Sequence, residues 1–212
     1  MSGAVSIIAP MESERAALAR ALRVPRASIH RCGLGAAGVR QWAARGPAIA
    51  DGARVVVVGV AGALEASAKL YDTHWINRIH GVRGVHELAE SSTGACSCAC
   101  VDVPASSERE KLALRERTGA NLVDMEGEAL AETAAQRGWR MRMLRSVSDD
   151  HATDLPKWLM DVLNTDGSVR LVGLLAAIPA LPGSLVDLVV LSRRVRLCMA
   201  RAADMLRAEG LA

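Results

Sequence analysis

The sequence predicts an α/β protein, a three-layer α/β/α arrangement around a central mixed sheet with a helical C-terminal extension. Three observations predict it. Short runs of β-branched and small apolar residues alternate with amphipathic helical stretches over residues 4–155. One of these runs, Arg54 to Val60, carries four consecutive valines, as a strand buried on both faces of a parallel or mixed sheet would. No linker-like segment divides the 212 residues, so the chain reads as one domain, 1–212, with a core over 4–155 and an extension over 156–212. Its βαβ crossovers should be right-handed.

AVSIIAP, residues 4–10, reads as a buried strand, and MESERAALARALR after it as a helix with one apolar stripe. Glu12 and Glu14 fall in its first turn, where acidic residues are ordinary partners of the helix dipole. ASIHRC is a second strand. GLGAAGVRQWAARG then sets Gly33, Gly35 and Gly38 as GxGxxG between strand and helix, a literal dinucleotide fingerprint. That fingerprint expects an acidic residue at the end of the next strand, and none occurs before Glu65, so a dinucleotide-binding protein is the lesser alternative. More generally, small residues here let the backbone approach a ligand, and the helix start favours an anion or a polar group. The valine strand ends in Gly59-Val60-Ala61-Gly62, another tight turn.

From Leu64 to Glu90 the pattern is irregular, with DTHWINRI as a strand. His74, His80 and His86 are six apart, which fits neither a strand face nor a helical stripe, and they read as surface or loop residues. GACSCACVDV puts Cys96, Cys98 and Cys100 on one strand face as small buried side chains. Zinc is the minor alternative there, because the run lacks the usual ligand-pair spacing and no His lies beside it. PASSEREKLALRERTG is a helix capped at Ser106 or Ser107 and stopped at Gly119.

The stretch from Asn121 to Asp150 carries the chemistry. A short apolar run delivers Asp124 and Glu126 to the start of an amphipathic helix, and the next strand delivers Ser148, Asp149 and Asp150 to its end. In open α/β sheets, ligands bind at such strand ends. Beyond Leu155 the sequence predicts two or three packed helices, the last bearing Arg193, Arg194, Arg196, Arg201 and Arg207. Residues 171–191 are strongly apolar, but Pro179, Pro182, Gly183 and Asp187 interrupt them, whereas a membrane span wants about twenty unbroken apolar residues.

Composition excludes some classes. The 26 basic and 23 acidic residues nearly balance, and with one Tyr and no Phe there is no basic, aromatic-laced face for nucleic acid. MSGAVSIIAPMESER lacks the basic start of a signal peptide, so a cytoplasmic protein with its five cysteines reduced is expected.

Val123-Asp124-Met125-Glu126-Gly127, followed by Arg145-Ser146-Val147-Ser148-Asp149, resembles the V-D-M-E-[GS] and R-x-[IV]-S-D motifs of the nucleoside phosphorylase and nucleosidase superfamily. Ile7 to Glu14, Gly33-Leu34-Gly35 and Gly59 to Gly62 extend the likeness over roughly residues 4–155. Within it, Val101-Asp102-Val103-Pro104 and the tail with Leu155-Pro156 and Asp166 to Arg170 are similar to the hopanoid-associated phosphorylases. The resemblance implies a phosphorylase-like fold and cleavage of a purine N-ribosidic bond. The expected product is adenine from a 5′-substituted adenosine, adenosylhopane in that branch. Phosphorolysis is the implied reaction, with hydrolysis as the alternative. It implies no cofactor and no metal, with phosphate as co-substrate, a homo-oligomer and a lipid-linked substrate. From its residues, the tail reads as a core helix or subunit interface with a solvated basic face, the alternative being a lipid-binding or peripheral membrane contact through residues 171–207.

Carried over residue by residue, the resemblance makes Asp149 the acid at the purine N7 and Glu126 the acceptor of the ribose hydroxyls. Met125 lies against the ribose, Glu14 meets the attacking group, and Ser148, Ala61 and Gly62 complete the substrate site. A positioned acid of this kind contributes about 10²–10⁴-fold. A carboxylate at Glu14 suits activation of water better than binding of phosphate, which it would repel. Anion candidates are the loop at Gly33 and Gly35, with Arg15 and Arg40. The chain departs from the family in lacking any Phe for stacking on the base, and in reading Val101-Asp102-Val103 where a Ser-Gly-Asp turn is usual.

Overall fold

The structure, a computed structural model, describes residues 5–88, 96–154 and 182–212. In chain order it runs β1 (Val5–Ala9), α1 (Glu12–Leu22), a 3-10 turn (Arg26–Ser28), β2 (Ile29–Arg31), α2 (Gly35–Ala44), β3 (Arg54–Ala63) and β4 (Thr73–His80). It continues through β5 (Val85–Glu87), β6 (Cys96–Cys100), α3 (Glu108–Thr118), β7 (Leu122–Asp124), α4 (Gly127–Gln136), β8 (Arg140–Asp149) and α5 (Pro182–Ala208). The mixed α/β fold with a central sheet is as the sequence predicts.

The valine strand β3 is the centre of that sheet. Val55 and Val57 face one core and Val56 and Val58 the other, the alternation a strand imposes on an unbroken apolar run. Burying each valine stabilises the fold by roughly 1.5–3 kcal/mol. On the first face, α2 and α4 pack through Val39, Ala129, Leu130 and Ala134. On the second, α1 and α5 pack through Leu18, Ala19, Val195, Met199, Ala202 and Leu206. With so few aromatics, small side chains let the helices lie close.

The sheet goes beyond the expectation in one respect: it closes. β8 runs parallel to β3 from Arg54↔Arg140 to Gly62↔Asp149, and its other edge pairs antiparallel with β4. β4 pairs with β6, β6 with β7, and β7 returns to the end of β3 at Gly62↔Val123. These strands form a ring, with β1 and β2 as a wing on β3. One edge of β3 therefore serves two partners in succession, β1 up to Val57 and β7 from Gly62.

Local signals explain most element ends. Ser107 caps α3: its hydroxyl accepts from the Glu110 amide at 3.4 Å, and the Glu110 carboxylate accepts from the Ser107 amide at 3.0 Å. Gly119 ends the helix at φ 70°, where a side chain would be strained. Of the helices expected beyond Leu155, the described residues contain the last, the 27-residue α5. Pro182 opens it instead of breaking it, because a first-turn residue needs no amide hydrogen. The predicted features over 155–181 lie outside the described residues. No helix among those described is long and apolar enough to cross a membrane.

The reading of the three histidines is corrected. His74 and His80 lie on β4 and His86 on β5, all half-buried. His74 and His80 are spaced along β4 itself, whereas the interval from His80 to His86 spans the turn of an antiparallel hairpin that pairs Ile79 with His86. Cys96, Cys98 and Cys100 are buried in the first core, as expected of small strand residues.

Candidate active site

The gap on β3 between its two partners is where the site begins. There the Val60 amide donates to Glu14 Oε1 at 2.8 Å, while Glu14 Oε2 accepts from the Met11 amide at 2.7 Å. Thus a residue whose place in a first helical turn had an ordinary explanation is turned inward, 1% exposed. Burial pushes the Glu14 carboxyl above its ordinary value, against the pull of the two amides and Arg145.

β7 and the start of α4 supply the next group. Glu126 precedes the first residue of α4, and its Oε1 accepts from the Gly35 amide at the start of α2 at 2.7 Å. The helix start that the glycine motif offers to an anion is thus taken by the chain's own carboxylate. Burial, then the neighbouring Asp124 charge, pushes Glu126 up to about 8. Met125 stands beside it, half-buried, and a Cβ at Gly35 would lie 3.8 Å from its methyl group. Gly33 donates its amide to Pro10 O, so the amides of both anion-loop glycines are engaged within the chain. Arg15 pairs with Glu12 and Arg40 with Glu132.

Asp124 and Arg145 form the floor. Arg145 is fully buried, and its Nε and Nη2 donate to Asp124 Oδ2 at 3.0 and 2.7 Å. Burial works against the guanidinium, and the charges of Asp124 and Glu126 outweigh it, holding Arg145 above its ordinary value. Its Nη1 has no hydrogen-bond partner among the described residues. A Cβ at Gly59 would lie 3.0 Å from Nη1 and 3.1 Å from Glu14 Oε1, so only glycine lets β3 pass between them without displacement.

At the end of β8 the register with β3 shifts: Ala61 faces Val147 and Gly62 faces Asp149, leaving Ser148 as a bulge. Bulges re-aim side chains, and this one sets Asp149 over Gly62, where an added Cβ would lie 2.9 Å from Oδ2. Ser148 Oγ is 2.8 Å from Asp149 Oδ1 and 3.3 Å from Ala61 O. Asp149 Oδ2 accepts from Lys111 Nζ at 2.6 Å. Asp150 caps the following turn instead, accepting from the Ala152 amide and the Thr153 hydroxyl.

Cys198 of α5 lies beneath both ends of this arrangement. Burial, then the charges of Glu14 and Asp149, pushes its thiol up to about 12. The structure therefore gathers Glu14, Met125, Glu126, Ser148, Asp149, Ala61 and Gly62 around one end of the ring. Lys111 and the Asp124–Arg145 pair are additions that the sequence reading did not single out. The buried spacing Lys111, Leu114 on α3 is the one signal that could have flagged the lysine.

Comparison with known proteins fits this architecture. Residues 71–168 match the sequence family described as the phosphorylase superfamily. A mutant of the Helicobacter pylori 5′-methylthioadenosine/S-adenosyl homocysteine nucleosidase (MTAN), solved with 5′-methylthioadenosine in its active site, superposes with a TM-score of 0.67 at 13% identity, covering 98% of this chain and 100% of that one. The chain has the phosphorylase/nucleosidase fold. The Campylobacter jejuni MTAN gives 0.65 at 14% identity, with coverage of 98% and 100%. Native futalosine hydrolase of Helicobacter pylori gives 0.58 at 18% identity, covering 70% of this chain and 88% of that one. No curated protein matches the sequence.

Proposed function

We propose that this protein cleaves the N-ribosidic bond of a purine nucleoside, releasing adenine from a 5′-substituted adenosine, with water as the acceptor. The observation that carries this reading is the convergence of Glu14, Glu126 and Asp149, from three separate elements, on one end of the ring. The C1′–N9 bond breaks with its electron pair passing to the purine, and Asp149 gives a proton to N7. Glu126 accepts the ribose hydroxyls through Oε2, its other oxygen being held by the Gly35 amide. Water attacks C1′ and loses its proton to Glu14, whose burial makes its carboxylate a stronger base than an exposed one.

Phosphate as acceptor is the second reading. It is favoured by the resemblance to the phosphorylase branch and by the unpartnered Nη1 of Arg145 close to Glu14. The engaged amides of Gly33 and Gly35 weigh toward water. The 5′ substituent on this reading is lipid-like, adenosylhopane by resemblance. Val189, Val190 and Leu197 of α5 are exposed beside Arg193 and Arg196, a surface suited to a lipid tail or an anionic membrane. Assembly as a homo-oligomer belongs to the same reading.

The test is adenine release from adenosine and 5′-modified adenosines with and without phosphate. Free ribose marks hydrolysis, and ribose 1-phosphate marks phosphorolysis. No cleavage of any purine nucleoside overturns the proposal.

A further inference from the structure

Lys111 is 1% exposed, on a helix whose other residues are mostly charged and solvated. An ammonium has three protons to donate, and here each has an acceptor: Asp149 Oδ2 at 2.6 Å, Asp150 O at 2.7 Å and Thr153 O at 3.0 Å. The first turn of α3 is tied to the same loop a second time, by the Glu108 amide donating to Asp154 Oδ1 at 3.0 Å. A buried cation with every donor engaged is costly to build and rigid once built.

We infer that Lys111 is the positioning residue of Asp149: it fixes Oδ2, confines the transferable proton to Oδ1, and partners the carboxylate left after transfer. The inference rests on the nucleoside-cleaving reading of the site. Its second support is the Ser148 hydroxyl, which has two acceptors within reach, Asp149 Oδ1 and Ala61 O. When Asp149 is a carboxylate, the hydroxyl donates to Oδ1. When Oδ1 carries the proton, the hydroxyl turns to Ala61 O. Lys111 donates to Oδ2 in both states, so proton transfer changes one rotor and leaves the carboxyl in place. In the reaction, the proton moves from Oδ1 to the purine N7 as the C1′–N9 electron pair enters the purine, and the new charge on Asp149 meets an ammonium already bonded to it.

The test compares two substrates within each protein preparation: adenosine, whose purine needs the proton, and 4-nitrophenyl β-D-riboside, whose phenolate leaves without one. Lys111→Met is expected to lower kcat on adenosine by about 10²-fold, within the range of a positioned acid. KM and the rate on the nitrophenyl riboside should hardly change. Lys111→Arg, which retains the cation, should recover part of the loss, and adding Lys111→Met to Asp149→Asn should have no further effect. The ratio of the two rates is independent of how much of the variant folds. An unchanged ratio, through equal losses or through none, overturns the role of Lys111 while leaving the nucleoside reading intact. A wild-type protein that cleaves neither of these substrates nor any 5′-modified adenosine overturns both.

Discussion

The two ends of the site handle charge in opposite ways. On the floor, Glu14, Asp124 and Glu126 share one guanidinium, and Arg145 spends its two bonds on Asp124 alone. At the rim, Asp149 has one ammonium, and every donor of Lys111 has an acceptor. The floor buries three carboxylates around one cation, and burial, helped by the Asp124 charge, holds Glu14 and Glu126 above their ordinary values. The rim is closed and fixed. Where charge is unbalanced, a ligand that brings hydroxyl donors gains most. Where it is balanced, the protein has already set the geometry before the ligand arrives.

Substitutions should separate the two ends, and the largest effect is at the rim. Asp149→Asn should lower the rate of adenine release by about 10²–10⁴-fold. It also leaves the buried Lys111 ammonium without its counter-charge, so Tm should fall as well. Steady-state kinetics beside a melting curve checks both, and an unchanged rate would remove Asp149 from the chemistry. Next comes Arg145→Leu, which leaves Asp124 buried without its cation and should cost about 3–5 kcal/mol of stability by urea unfolding. Gly62→Ala sits on the boundary. Its Cβ would press on Asp149 Oδ2 at 2.9 Å and Val123 Cγ1 at 3.2 Å, costing about 1–3 kcal/mol and displacing the acid.

A further effect is a pH slope. Glu126 titrates near 4.5 in the unfolded chain and near 8 in the folded one, so the folded state holds an extra proton between those values. Its contribution is fully present below the lower value and is lost as pH rises through the upper one. The Tm of the unliganded protein should therefore fall between about pH 5 and pH 8, and Glu126→Gln should flatten that fall.

The carboxylates of both ends were more legible in the sequence than the cations that pair with them. Glu14, Met125, Glu126 and Asp149 sit in short motifs at element ends, so local spacing brings them into view. Lys111 does not, because its partner lies 38 residues away and its own helix reads as a solvated run. Arg145 was visible within a motif, but its pairing with Asp124 depends on β7 and β8 meeting across the ring. The histidines were misplaced because their spacing runs along one strand and then across a hairpin turn. Element types follow from local pattern, whereas closure of the sheet depends on pairings between distant strands.

That closure sets an order in time. Among the described residues β8 is the last strand, yet it lies between β3 and β4. A nascent chain can assemble β1, β2 and β3 early, but β3 and β4 keep open edges until residue 149 has emerged, and open edges invite pairing with other chains. Insertion of β8 makes contacts far apart in sequence, the kind that form slowly. The same strand carries Arg145, Ser148 and Asp149, so the last stave to enter the barrel also completes its site.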